Sequence, residues 1–206
     1  MFQNRDVFAA DRLRLAPEVV LARGRAHEVA GSARVAFALF AAAGLDGPVV
    51  WSRPGWTAEQ PMGDGLCGML APGRLVLVRA RTATDILWAA EEALRSGAAP
   101  LVIVELPALP ALTPVRRLHL AAEAGAAAGT APLALLLTPG DGGAPGVETR
   151  WRLDPAPGWA RDDVPRWRLA RLRARTEPMR TWEAALVGGR LSLVPAGPVA
   201  RDGTTP

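Results

Sequence analysis

The chain has 206 residues, half of them apolar, enough for one well-filled α/β domain but too few for two large ones. All 24 basic residues are arginine, lysine and tyrosine are absent, and the formal charge is only +4, so the pI of about 11.0 exaggerates the basicity. The excess is local: residues 150–180 hold nine arginines against four acids, and the remainder holds 15 against 16.

In chain order, residues 1–23 carry mixed charge around Val7, Phe8, Leu13, Leu15 and Val19–Leu21 and read as a short helix or lead-in. An alternating βα pattern then begins. Ala26–Ala30 is a short strand, Gly31-Ser32 a turn, and Arg34–Ala43 a helix. Pro48–Trp51 is a second strand, followed by a Gly/Pro-rich crossing segment over 52–72 and a third strand at Arg74–Arg79. Thr82 or Thr84 caps the next helix, with Asp85 in its first turn where the dipole favours negative charge. Ile86, Leu87, Ala90 and Leu94 keep helical spacing, and Gly97 ends the helix.

Leu101–Val104 and Leu133–Leu137 are continuous apolar runs, as expected of strands buried on both faces of a parallel sheet, with a helix from Thr113 to Ala128 between them. After Pro139 the pattern changes. Residues 140–146 read as a flexible Gly-rich loop, and Thr149–Leu153, Pro165–Ala174, Arg180–Val187 and Arg190–Val194 lack helical periodicity. Gly188-Gly189 makes a two-residue hairpin turn between the last two. The expectation is a mostly parallel central sheet extended by C-terminal antiparallel strands: a lead-in over 1–23, a core domain over 24–195 and a disordered tail over 196–206.

This order of elements resembles the RecA ATPase core, and within it the ImuA family of bacterial mutagenic translesion synthesis. The likeness is carried by His27-Glu28-Val29-Ala30-Gly31, by Leu75–Ala80, by the stretch DILWAAEEALRSGAAPLVIVELPALPALTP from Asp85 to Pro114, and by two RWRL strands at 150–153 and 166–169. It implies a RecA-like three-layer fold over roughly residues 24–195. It also implies work beside ImuB, an error-prone C-family polymerase and/or RecA in SOS-induced, error-prone DNA synthesis.

The ATP site of that fold is degenerate in the sequence. A phosphate loop needs a Gly-rich turn, a lysine and a Ser/Thr hydroxyl for Mg²⁺. The matching stretch retains only Gly31, Ser32 and Arg34, and no lysine exists anywhere to substitute. The strand that would end in a water-activating acid ends in Trp51-Ser52-Arg53-Pro54. Glu105 alone remains, as a remnant of an acid that helps to hold Mg²⁺ in relatives or as a strand-end carboxylate paired with arginine or solvated. The expectation is therefore a non-enzymatic protein without a cofactor. His27 and His119 stand far apart without metal-ligand spacing and read as structural, and the lone Cys67 reads as an incidental or buried thiol.

The C-terminal arginines and tryptophans are the candidate contact surface: Arg150, Trp151, Arg152, Trp159, Arg161, Arg166, Trp167, Arg168, Arg171, Arg173, Arg175, Arg180 and Trp182. Arginine with indole suits a protein hot spot or single-stranded DNA. The plainer reading packs the tryptophans inward and leaves arginine in water, because Trp151 shares a strand face with Leu153 and Trp167 with Leu169. Protein contact is preferred over DNA because only a short stretch near 139–147 stands where RecA-like proteins carry a long DNA-binding loop. The alternatives are a RecA-like ATP- or DNA-binding protein and a SulA-like inhibitor of cell division. No apolar run nears the roughly 18–20 residues of a membrane span. Met1–Asp6 lacks the order of a secretion signal, so the expected location is cytoplasmic with no membrane partner.

Overall fold

Apolar runs such as Leu133–Leu137 lose water on both faces only inside a sheet covered from both sides, and that requirement organises the molecule. The computed structural model describes residues 12–57, 66, 68–156 and 165–195. Two strands, β1 (Arg12–Ala16) and β2 (Val19–Ala22), form a separate antiparallel hairpin. The βα units follow as β3 (Ala26–Ala30), α1 (Arg34–Ala43), β4 (Val49–Pro54), β5 (Leu75–Ala80), α2 (Ala83–Ser96), β6 (Leu101–Glu105), α3 (Leu112–Ala128) and β7 (Leu133–Leu137). Four further strands end the described chain: β8 (Arg150–Pro155), β9 (Arg166–Arg173), β10 (Arg180–Val187) and β11 (Arg190–Pro195).

Nine of these strands make one sheet in the order β11-β10-β9-β8-β3-β7-β6-β4-β5. Every pairing from β8 to β5 is parallel, and β8 to β11 pair antiparallel. The chain is thus an α/β protein with a large, mostly parallel sheet extended by antiparallel C-terminal strands. Two apolar cores flank the sheet. One lies under α1 and joins Val29, Trp51, Ile103, Leu135 and Trp151. The other lies under α2 and α3 and joins Ile86, Leu94, Val102, Leu118 and Leu136. Side chains at alternate positions of the same strands feed the two cores, which explains why β7 and residues Leu101–Val104 of β6 are apolar.

Helix α2 starts at a capping box. Thr82 Oγ1 accepts from Asp85 N, and the Asp85 carboxylate accepts from Thr82 N, each at 3.1 Å. It ends at Gly97 with φ +64°, the left-handed cap foreseen from sequence. At that point α2 and α3 meet backbone to backbone. A Cβ on Gly125 would lie 2.0 Å from the Leu94 carbonyl oxygen, so only glycine allows this closeness.

The N-terminal segment differs from expectation. Residues 12–22 form a hairpin rather than a helix, and Leu13, Ala16, Val19 and Leu21 are buried in the α1-side core. The alternation Arg12-Leu13-Arg14 is a strand period, and turning at Pro17-Glu18 lets both short strands bury one face. The described part of the lead-in therefore belongs to the same core as residues 24–195. Residues 1–11, the expected tail at 196–206 and Cys67 lie outside the described residues.

Candidate functional site

The loop between β3 and α1, the stretch expected to match a phosphate loop, takes its geometry from one neighbour, β8. Four consecutive backbone N–H groups of the loop leading into this helix, Gly31 to Arg34, would be donors for an anion. Here each donates to the protein itself. Gly31 N donates to Gly140 O at 3.4 Å, Ser32 N to Asp154 Oδ1 at 2.9 Å, Ala33 N to Leu153 O at 3.0 Å and Arg34 N to Gly31 O at 3.3 Å. Ser32 Oγ also donates to Asp154 Oδ1, at 3.1 Å.

The Asp154 carboxylate stands where an anion would, at the positive end of α1. Burial pushes its pKa up, but the Arg152 guanidinium and the Ser32 N–H and O–H outweigh that and hold it below the usual carboxylate value. Arg152 in turn bridges Asp154 and Asp141. Gly31, with φ +91°, is required because a Cβ there would sit 2.3 Å from Leu153 O. The glycine serves the approach of β8 backbone. Arg34 turns back on its own loop, donating from a terminal nitrogen to Gly31 O at 3.3 Å. A phosphate at Ser32 N would have to displace the protein's own carboxylate.

Glu105, at the end of β6, accepts from Trp51 Nε1 at 3.1 Å and lies 3.1 Å from Nε of the buried Arg53. That Arg53 nitrogen lacks hydrogen-bond alignment, so the pair is Coulombic and Trp51 supplies the directed bond. The arrangement is the arginine-paired form of this residue.

A second carboxylate, unremarked in the sequence, is buried completely. Glu28 on β3 accepts from Thr138 Oγ1 at 2.7 Å, Gly143 N at 2.8 Å and Ala144 N at 2.9 Å, and pairs with Arg150. Arg150 also donates to Ala144 O at 2.8 Å. The Gly-rich stretch at 140–146, expected to be a flexible loop, is therefore pinned on an interior ion pair.

Beside it runs a relay through His27. Trp151 Nε1 donates to Thr149 Oγ1 at 2.7 Å, Thr149 Oγ1 lies 2.7 Å from His27 Nδ1, and His27 Nε2 lies 2.8 Å from Ala22 O. A carbonyl only accepts, so Nε2 carries the proton and Nδ1 receives the threonine hydroxyl. Burial lowers the His27 pKa to about 4, and burial is also the main cause lowering His119. His119 Nδ1 accepts from Ala26 N at 3.3 Å. Both histidines are structural. Among the described residues no cluster of three or more His, Cys, Asp or Glu could hold a metal.

The candidate contact surface divides on inspection. Trp151 and Trp182 are interior, about 1% exposed, with ring centroids 6.3 Å apart. Arg171 is interior as well. Its guanidinium stacks 5.6 Å from Trp151 and 5.3 Å from Trp182, pairs with Glu177, and donates to Pro178 O and to Glu18 O on the hairpin. Trp167 is half-buried, edge-on to Phe40 at 5.3 Å. Arg150 and Arg152 serve the ion pairs above, and Arg175 lies 3.2 Å from Glu148. Arg166, Arg168 and Arg173 remain exposed, while Trp159 and Arg161 lie outside the described residues. Parity explains the division: on β9, Trp167, Leu169 and Arg171 share the inward face, whereas Arg166 and Arg168 face out. Among the described residues the most exposed indoles belong instead to Trp56 after β4 and Trp88 on α2.

Among the described residues no helix is long and apolar enough to cross a membrane. Compared with protein-family models and with curated proteins, the chain matches none.

Proposed function

We propose that this protein is a non-enzymatic accessory factor of error-prone translesion DNA synthesis, a degenerate RecA-like ATPase core that works through contacts with ImuB, the C-family polymerase or RecA. The observation that carries the reading is the occupied helix start. Asp154 and the β8 carbonyl of Leu153 take the N–H groups of Ser32 and Ala33, which an active site would turn towards phosphate. The absence of lysine from the whole chain supports the same conclusion, since the phosphates lose their usual cationic partner. The order of βα units and the antiparallel extension support the RecA-like assignment. Catalysis needs a preorganised charge at the phosphates, and a fold that spends its own carboxylate there is suited to serve as a scaffold.

The test has two arms. Purified protein immobilised on resin is expected to retain purified ImuB or RecA, and retention of neither removes the proposed role. Calorimetry with millimolar ATP and Mg²⁺ is expected to give no binding heat. A measurable affinity there would favour the nucleotide-binding alternative.

A further inference from the structure

The proposed role leaves open where a partner sits, since Trp151 and Trp182, two of the indoles first expected to receive it, are interior. A different concavity has the required chemistry. The β1–β2 hairpin, the C-terminal end of α1 and the β10–β11 turn enclose a groove of about 600 Å³. That is within the range of ~300–1,000 Å³ typical of ligand sites. Its apolar wall is built from Leu15, Phe40, Met69, Leu186 and Leu191. Phe40 and Leu191 are buried and continuous with the α1-side core, so the floor is firm.

The rim is basic. Arg14 and Arg190 both line the groove, both are exposed, and no acidic side chain lines it among the described residues. Arg14 spends one terminal nitrogen on Pro17 O at 2.8 Å, and the Arg190 side chain makes no hydrogen bond or ion pair among the described residues. Two under-used guanidinium groups over an apolar floor complement a carboxylate set among apolar side chains. A second copy of this chain would bring the same cationic rim against itself, so like charges oppose that occupant.

We propose that this groove is the partner-docking site, and that its occupant is a short peptide segment of the partner with apolar anchors and an acidic residue held between Arg14 and Arg190. The inference rests on the scaffold role proposed above and adds to it the place and the chemistry of recognition.

The probe is a phage-displayed library of random 12-residue peptides, selected on the full-length protein and on the Arg14→Glu/Arg190→Glu variant. Both positions are exposed, and circular dichroism checks that the variant folds. Expected is enrichment of apolar–acidic sequences on the wild type, with synthetic copies binding the variant at least about tenfold more weakly, the scale of losing one charge pair. No enrichment, enrichment without acidic residues, or equal binding to both proteins overturns the proposal. Sedimentation of the protein alone adds a check, since a dimer abolished by the double variant would assign the groove to a second copy and overturn it too. The two ideas fail separately. Retention of ImuB or RecA undiminished by the double variant sinks the groove and keeps the role. Groove-dependent peptides together with retention of neither partner sink the role and keep the groove.

Discussion

Asp154 on β8 accepts from both the backbone N–H and the hydroxyl of Ser32, at 2.9 and 3.1 Å, across 122 residues of sequence. It ties the loop before α1 to a distant strand, and its removal has a two-sided consequence. Asp154→Ala is expected to lower stability by about 1 kcal/mol, the usual net worth of a side-chain hydrogen bond. It also frees the start of α1 for an external anion. Melting temperature should then rise more steeply with sulfate in the variant than in the wild type, whose response measures the non-specific effect of the salt. Equal slopes would show that the carboxylate does not hold an anion's place.

Glu28 and Arg150 offer a harsher test, because Glu28 is wholly buried. Glu28→Ala strands the guanidinium and releases the N–H groups of Gly143 and Ala144. A loss of roughly 3–5 kcal/mol is expected from denaturant midpoints. Amide exchange at Gly143 and Ala144 should accelerate well beyond that of β7. Glu28→Gln keeps the shape and the acceptor oxygen and should lose less.

His27 makes stability depend on pH. Its folded pKa is about 4 against an ordinary 6.5, so between those values the unfolded chain takes up a proton that the folded chain refuses. The contribution of the neutral ring is complete above pH 6.5 and is lost as pH falls towards 4, roughly 3 kcal/mol in all. His27→Gln should flatten the stability profile across that window. An unchanged slope would mean that other groups set the acid limb.

Gly125 reverses an ordinary rule. Replacing an exposed helical glycine by alanine gains up to about 1 kcal/mol. In α3 the added methyl would meet the Leu94 carbonyl oxygen at 2.0 Å and Pro132 Cγ at 3.1 Å. Gly125→Ala is therefore expected to cost about 1–3 kcal/mol by forcing α2 and α3 apart. A stabilised variant would mean that the two helices separate easily.

Much of this architecture was legible because burial leaves a period in the sequence. The runs at Leu101–Val104 and Leu133–Leu137, the Thr82–Asp85 cap, Gly97 and the Gly188-Gly189 turn each follow from local chemistry and stand where expected. The inward set of Trp151 and Leu153 followed from strand parity, and the same parity places Arg171 inside, against the habit of treating arginine as surface. The hairpin at 12–22 escaped because strands of five and four residues give too few alternations to outweigh a helical reading. The bonds from Asp154 to Ser32 and from Glu28 to Arg150 escaped for a different reason. Each joins residues 122 apart, and no local pattern records which distant strand will lie beside a loop. The groove between the hairpin and the β10–β11 turn exists only after both ends of the chain have met.

Trp151 and Trp182, stacked at 6.3 Å with rings tilted by 32° around the Arg171 guanidinium, give the molecule a built-in optical gauge. Two indoles locked this close in a chiral setting share their electronic transitions, and their near-ultraviolet dichroism depends on that lock persisting. The signal spans β8 and β10, and through Arg171 it senses the hairpin that walls the groove. Loosening of that corner can therefore be followed with light alone, without attaching a label.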